Sequence, residues 1–228
     1  LVVKGGATHG KWAPSVEYIQ FVTNEIVRRM KKEITLSTTK YGFFPRGGAE
    51  VKMNFKHHEN LEPLNLIEKG ELEKIDIYAT ASQSLAERKV AERQISSFKK
   101  RIETHVDIVE HVKYIDSFSA GTGLTAVDTL SSGSRMGCFI PGERGLSSEK
   151  IGEMCAQMWL KNSKSSGSVD SYAADQLIVP MVLTEGKSVI TTTEISNHTK
   201  TNIDLVQKFI DRHITYQKNG NHFKILVN

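Results

Sequence analysis

No apolar run in this chain approaches the length of a membrane span, and no charged-then-apolar signal segment opens it. No membrane association is expected. Cysteine is almost absent: Cys138 and Cys155 are the only two. They form no metal-type spacing and both lie in apolar contexts, so reduced thiols in a cytosolic core are expected rather than a disulfide. Neither sign of charge dominates. Lys plus Arg number 30 against 26 for Asp plus Glu, a net +4, which suits an anionic partner without establishing one. No glycine-rich stretch is a Walker loop or a G-x-G-x-x-G turn. An initiator Met is missing too. Leu1-Val2-Val3-Lys4 reads as an inner strand, which suggests a larger protein extending N-terminal of this numbering.

What is present is ordinary for a soluble globular protein: 228 residues, 39% hydrophobic and 25% charged. Leu1 to Val3 is a short strand and Gly5-Gly6-Ala7-Thr8 turns out of it. Ser15 caps a helix whose buried face is Val16, Ile19, Val22, Ile26, Val27 and Met30. Ile34-Leu36-Thr38 and Val51-Met53-Phe55 alternate as two strands of a wide hairpin. After a connector at 60–70, Ile75, Ile77 and Tyr78 suggest a strand. Leu85 to Ile102 carry helical spacing over roughly five turns. Strands follow from Val106, after Gly121-Thr122-Gly123, and from Met136 to Ile140. Ile151, Met154, Cys155 and Met158 face one way on a helix capped by Ser147 or Ser148. Lys161 to Ser168 reads as a polar linker.

The chain returns with a helix from Tyr172 to Val182, which Pro180 should kink or end. Val189 to Thr193 reads as a strand. Thr201 or Asn202 caps a helix from Ile203 to Arg212, with Ile203, Val206, Phe209 and Ile210 buried, and a hairpin closes across Asn219-Gly220. The first and last units both read as βαββ. The expected fold is therefore α+β, with βαββ-type repeats at 1–70 and 165–228 interrupted by a smaller inserted α+β domain at 71–164.

Few residues suit chemistry. His198 falls just upstream of the expected helix at 203. Helix N-termini attract phosphate and disfavour imidazolium, so a ring nitrogen there suits attack on phosphorus. A solvated loop histidine explains the position equally, since the chain has eight histidines. His57, His58, His105, His111, His213 and His222 receive no role, and His9 beside a glycine-rich turn is a candidate phosphate or RNA contact. On a helix Tyr172, Asp175 and Gln176 share one face. An aromatic beside a carboxylate and an amide can stack on a base and bond a ribose or base edge. A surface face with a capping aspartate is the plainer account. Arg46 and Arg144 sit in glycine-rich turns and could hold phosphate by bidentate contact; exposed arginines need no such role.

Taken in order, several segments resemble the RNA 3'-terminal phosphate cyclase family. They are Lys4-Gly5-Gly6-Ala7-Thr8 with Trp12-Ala13-Pro14, the stretch Tyr41-Gly42-Phe43-Phe44-Pro45-Arg46-Gly47-Gly48-Ala49-Glu50-Val51, then Gly121-Thr122-Gly123-Leu124, Gly142-Glu143-Arg144-Gly145, Ala174-Asp175-Gln176-Leu177, and His198 with Thr201-Asn202-Ile203. The resemblance implies a repeat fold of the cyclase and enolpyruvate-transferase kind with an inserted domain. It implies ATP-dependent conversion of an RNA 3'-phosphate end to a 2',3'-cyclic phosphate, with ATP and a divalent metal (Mg or Mn), in the cytoplasm. By position His198 matches the histidine that becomes adenylated. Tyr172, Asp175 and Gln176 match adenosine-binding positions, Pro14 faces the base, and Arg46 and Arg144 are possible RNA or phosphate contacts. The metal ligands have no counterpart here, because the family's acidic contact lies in a further N-terminal repeat. Ala7 and Ala49 depart from the family's small residues at turns. The competing reading is a non-catalytic relative that binds ribosomal RNA or assembly factors; such relatives lack the histidine. Unrelated small-molecule transfer on the same architecture is a third.

Overall fold

The computed structural model describes residues 1–56 and 60–228; His57 and His58, given no role above, lie outside them. Among the described residues there are eleven strands and six α-helices, arranged around three sheets. β1 (Val2–Lys4), β3 (Glu50–Phe55) and β2 (Ile34–Lys40) form the first, antiparallel in the order β1-β3-β2. Between β1 and β2 runs one helix, 16–28. It consists of α1 (Val16–Tyr18), a π turn (Ile19–Thr23) and α2 (Asn24–Arg28). Ser15 caps it as expected, its hydroxyl accepting from the Tyr18 N–H at 3.1 Å.

The middle sheet, β6-β5-β7-β8, is made of β5 (Leu72–Ser82), β6 (Asp107–Ile115), β7 (Thr122–Leu130) and β8 (Arg135–Pro141). Side chains alternate between its faces. Ile75, Ile77, Ala79, Leu124, Ala126, Cys138 and Ile140 pack on α3 (Val90–Lys99) and α4 (Ser148–Ser163). The alternate residues meet the 16–28 helix: Phe21 stacks on Tyr78 with ring centroids 4.7 Å apart, and Ser15 bonds Thr125 at 2.7 Å. A Cβ at Gly137 would stand 2.8 Å from the Tyr18 ring, so only glycine admits this approach. With both faces covered, β7 and β8 are buried almost throughout.

The third sheet is β10-β11-β9-β4, from β4 (Asn65–Leu66), β9 (Ser188–Thr192), β10 (Ile214–Asn219) and β11 (His222–Val227). α5 (Ser171–Val182) precedes β9, and α6 (Asn197–Val206) links β9 to β10. The 16–28 helix, α5 and this sheet share one apolar cluster, with Tyr18, Val22, Ile26, Leu177, Met181, Ile190 and Ile225 at its centre. The repeat read from sequence appears as topology. In β1-helix-β2-β3 and in β9-α6-β10-β11, the first strand pairs antiparallel with the third and the third with the second.

Four local expectations are corrected. The five-turn helix from Leu85 is two pieces, a 3-10 segment (Gln83–Arg88) and α3, separated by Lys89 at φ +49°. The polar stretch to Ser168 is no free linker. α4 runs to Ser163, the Lys69 amine donates to the carbonyls of Asn162, Ser163 and Ser165, and the buried Ser168 hydroxyl bonds β4 and β9 backbone. The last turn centres on Gly220-Asn221, since Asn219 pairs with His222. The final helix begins at Asn197 and ends at Val206. A tightened turn follows, with the Phe209 and Ile210 N–H groups both on Val206 O, and it turns the Phe209 ring outward, 80% exposed.

Candidate active site on α5 and α6

Because α6 starts earlier than its apolar pattern implied, His198 is not upstream of a helix. It is the second residue of one. Ser196 is the cap: its hydroxyl accepts from Thr199 N–H at 3.0 Å, and its carbonyl from Lys200 N–H at 3.1 Å. The N–H groups of Asn197 and His198 therefore have no helical carbonyl to bond and point toward the helix end. Asn202, expected as a cap, has another task. Its amide donates to the Asp175 carboxylate.

α5 lies alongside. Asp170 caps it, accepting from the N–H groups of Tyr172 (2.9 Å) and Ala173 (3.1 Å). The same carboxylate, fully buried, also accepts from the Tyr18 hydroxyl at 2.6 Å and the Gly137 N–H at 2.8 Å. Burial raises its pKa, and the four donors oppose that. Burial likewise pushes the Tyr18 hydroxyl far up, with the Asp170 charge adding to it. Tyr18 then meets Tyr172 edge to face, ring centroids 6.1 Å apart. So the Tyr172 ring, 42% exposed, is steadied from behind and open in front.

One turn on, Asp175 and Gln176 are half-buried. Gln176 takes the Thr23 hydroxyl on its amide oxygen, leaving its NH2 group without a partner among the described residues. Burial raises the Asp175 pKa, while the nearby His198 and the Asn202 amide pull it back. His198 lies one turn before Asn202 on the same face of α6, so the Asn202–Asp175 bond turns that face toward α5. The His198 ring is exposed and makes no hydrogen bond among the described residues.

The structure thus brings together Tyr172, Asp175, Gln176 and His198. Pro14 stands at the start of the 16–28 helix, one turn before Tyr18, and is half-buried. Arg46 and Arg144 are exposed on loops elsewhere, and no contact joins either to His198. His9 faces inward: Nδ1 lies 3.0 Å from the Thr8 hydroxyl and Nε2 2.8 Å from the buried Glu17 carboxylate. Burial works to raise Glu17, but His9 and the Thr80 hydroxyl bring it below the usual carboxylate range. Sequence reasoning missed Asp170, Tyr18, Thr23 and the role of Asn202. Asp170 carried a signal, an acidic residue immediately before a helical apolar pattern; the other three contacts cross between elements and carried none.

The family model for RNA 3'-terminal phosphate cyclase matches residues 1–216. The chain belongs to that family. Among curated relatives, the RNA 3'-terminal phosphate cyclase of Methanococcoides burtonii is 35% identical over the whole of this chain and 65% of its own length. That of Methanosarcina barkeri is 33% identical over the same shares. That of Halobacterium salinarum is 34% identical over 90% of this chain and 57% of the relative. The chain therefore spans about three fifths of the length of these relatives. ATP fits the residues present, given an open aromatic face, a free amide and a helix N-terminus together. Among the described residues no three His, Cys, Asp or Glu side chains gather as a cation site.

Proposed function

We propose that this chain carries the nucleotidyl-transfer part of an RNA 3'-terminal phosphate cyclase, a ligase that uses ATP to close a 2',3'-cyclic phosphate. The observation that carries the reading is the unengaged His198 ring in the first turn of α6, on the face that Asn202 bonds to Asp175 of α5. A ring nitrogen of His198 attacks the α-phosphorus of ATP. The bond to the bridging oxygen breaks and pyrophosphate leaves, with AMP joined to the histidine. An oxygen of the RNA 3'-phosphate then takes the AMP and frees the ring. The adjacent 2'-hydroxyl attacks the terminal phosphorus, gives up its proton and expels AMP. The N–H groups at the α6 end face the charge that develops on phosphate.

In this reading Tyr172 stacks on adenine, Asp175 and Gln176 bond the ribose or the base edge, and Pro14 borders the base. Arg46 and Arg144 serve RNA phosphates at a distance from the reacting atoms. The same reading takes 71–164 as a unit inserted between 1–70 and 165–228, and places the protein in the cytoplasm. Among the described residues no helix is long and apolar enough to cross a membrane. The test is incubation with ATP labelled at the α-phosphate and a divalent metal salt. An acid-labile AMP adduct is expected on the native protein and none on His198→Ala. An undiminished adduct in the variant removes His198 as nucleophile. No adduct on either protein favours the non-catalytic reading, binding of ribosomal RNA or assembly factors.

A further inference from the structure

The glycine-rich turns, separate in sequence, interlock in space away from His198. Gly5 N–H bonds Ala49 O at 2.8 Å, Thr8 N–H bonds Gly42 O at 2.9 Å, and a Cβ at Gly47 would stand 2.5 Å from Gly6 O. The turn at 118–121 closes on the same loops. Arg46 N–H bonds the Ser119 hydroxyl at 3.1 Å, and a Cβ at Gly48 would strike the Phe118 ring. This frame holds three large aromatics out in solvent: Trp12 at 91% exposure, Phe44 at 82% and Phe118 at 62%. Trp12 stands at φ +73°, a backbone region unfavourable for a bulky side chain.

Cations accompany the rings. Lys11 Nζ lies 5.2 Å from the Trp12 ring centroid, the Arg46 guanidinium 5.6 Å from that of Phe118, and Lys113 Nζ 4.5 Å from that of Tyr41. Every cation–π pair among the described residues is in this corner. Glu143 pairs with Lys11 at 3.0 Å. Flat apolar faces with cations beside them match a polymer of bases on a phosphate backbone. A duplex hides its base faces, so the partner that fits is unpaired RNA.

We infer that Trp12, Phe44 and Phe118, with Lys11 and Arg46, form a platform on which unpaired bases of the RNA substrate stack while its phosphates meet the cations. The inference rests on the RNA-directed activity proposed above and adds a base-contacting surface that Arg46 alone does not supply. The platform adjoins the start of the 16–28 helix, where the Val16 N–H bonds Thr8 O at 3.1 Å.

The test is fluorescence titration of the native protein with a single-stranded oligoribonucleotide ending in a 3'-phosphate, without ATP. Trp12 is exposed and the second tryptophan, Trp159, is buried, so quenching reports on Trp12. Stacking predicts quenching of the native protein; with affinities of all proteins read from the anisotropy of a fluorescein-labelled copy of the oligomer, it predicts a loss of about tenfold in Trp12→Ala and again in Phe118→Ala, and recovery in Trp12→Phe. It also predicts weaker binding of an abasic oligomer of equal charge and of a duplex. Unchanged affinity in both alanine variants overturns the platform, as does equal binding of the abasic oligomer. Adduct formation from ATP alone on the native protein reports separately on His198. An adduct without any RNA binding sinks the platform and leaves the nucleotidyl-transfer reading standing.

Discussion

Asp128 is buried on the α4 face of β7, with the Trp159 ring N–H donating to it at 2.7 Å. Burial raises its pKa from 3.8 to about 7, the Asp170 charge adds to the rise, and the Trp159 bond and the Lys69 charge oppose it. A carboxyl that keeps its proton longer when folded than when unfolded makes stability fall as pH rises between those two values. The full displacement corresponds to about 4 kcal/mol at most. Asp128→Asn keeps an acceptor for Trp159 and removes the charge. Urea unfolding at several pH values between 4 and 8 should show a smaller fall in the variant, with a net gain in stability at pH 8. Parallel profiles for the two proteins would rule this out. A strand after Gly121-Thr122-Gly123 was legible, but the residue on α4 that meets Asp128 was not. Tyr172, Asp175 and Gln176 were legible as one face because helical spacing is local. Their supports, Tyr18 and Thr23, come from about 150 residues away in sequence, and no local pattern encodes that distance.

At the scale of an element, α6 decides what His198 can do. Its opening residues, Asn197 to Asn202, are all polar, Thr199 being buried, so hydrophobic periodicity was silent there and pointed to a start at Ile203. The cap carries the information instead: Ser196 takes the Thr199 N–H. Similarly, Lys89 in the left-handed region divides an otherwise helical pattern, and a lysine gives no warning of that. Where local chemistry and periodicity agreed, the reading held: Ser15 is a cap, Ser147 is the cap of the pair Ser147 or Ser148, and β10–β11 is a hairpin, its turn one residue later than expected. Ser196→Ala should cost about 1 kcal/mol. Its sharper effect is on the first turn. Amide hydrogen exchange at 197–200 should quicken, and the rate of AMP adduct formation should fall several-fold, about the factor that 1 kcal/mol supplies. Ser196→Thr should restore both. A slower adduct with unchanged exchange would show that the hydroxyl acts on substrate rather than on the helix.

At the scale of the whole molecule, the middle sheet is shared. One face belongs to the cluster around α3 and α4, while Tyr78 and Val127 on the other join the cluster formed by the 16–28 helix, α5 and the third sheet. Asp170 is the polar tie across that junction. It accepts from Tyr18 on the helix, Gly137 on β8, and Tyr172 and Ala173 on α5. Four donors meet there and the only acceptor is the carboxylate, so removing it leaves the buried Tyr18 hydroxyl and Gly137 N–H without partners. Asp170→Ala should cost about 3 kcal/mol or more, which lowers the melting temperature by ~10 °C in a chain of this size. Asp170→Asn should recover little, because an amide offers one accepting oxygen and presents an NH2 group to donors. Since both clusters lean on the same sheet, calorimetry of the native protein should give one cooperative transition, and the variant should lower it without splitting it. Two transitions, only one of them moved by Asp170→Ala, would mean that the two clusters fold independently and that Asp170 supports the nucleotide face alone.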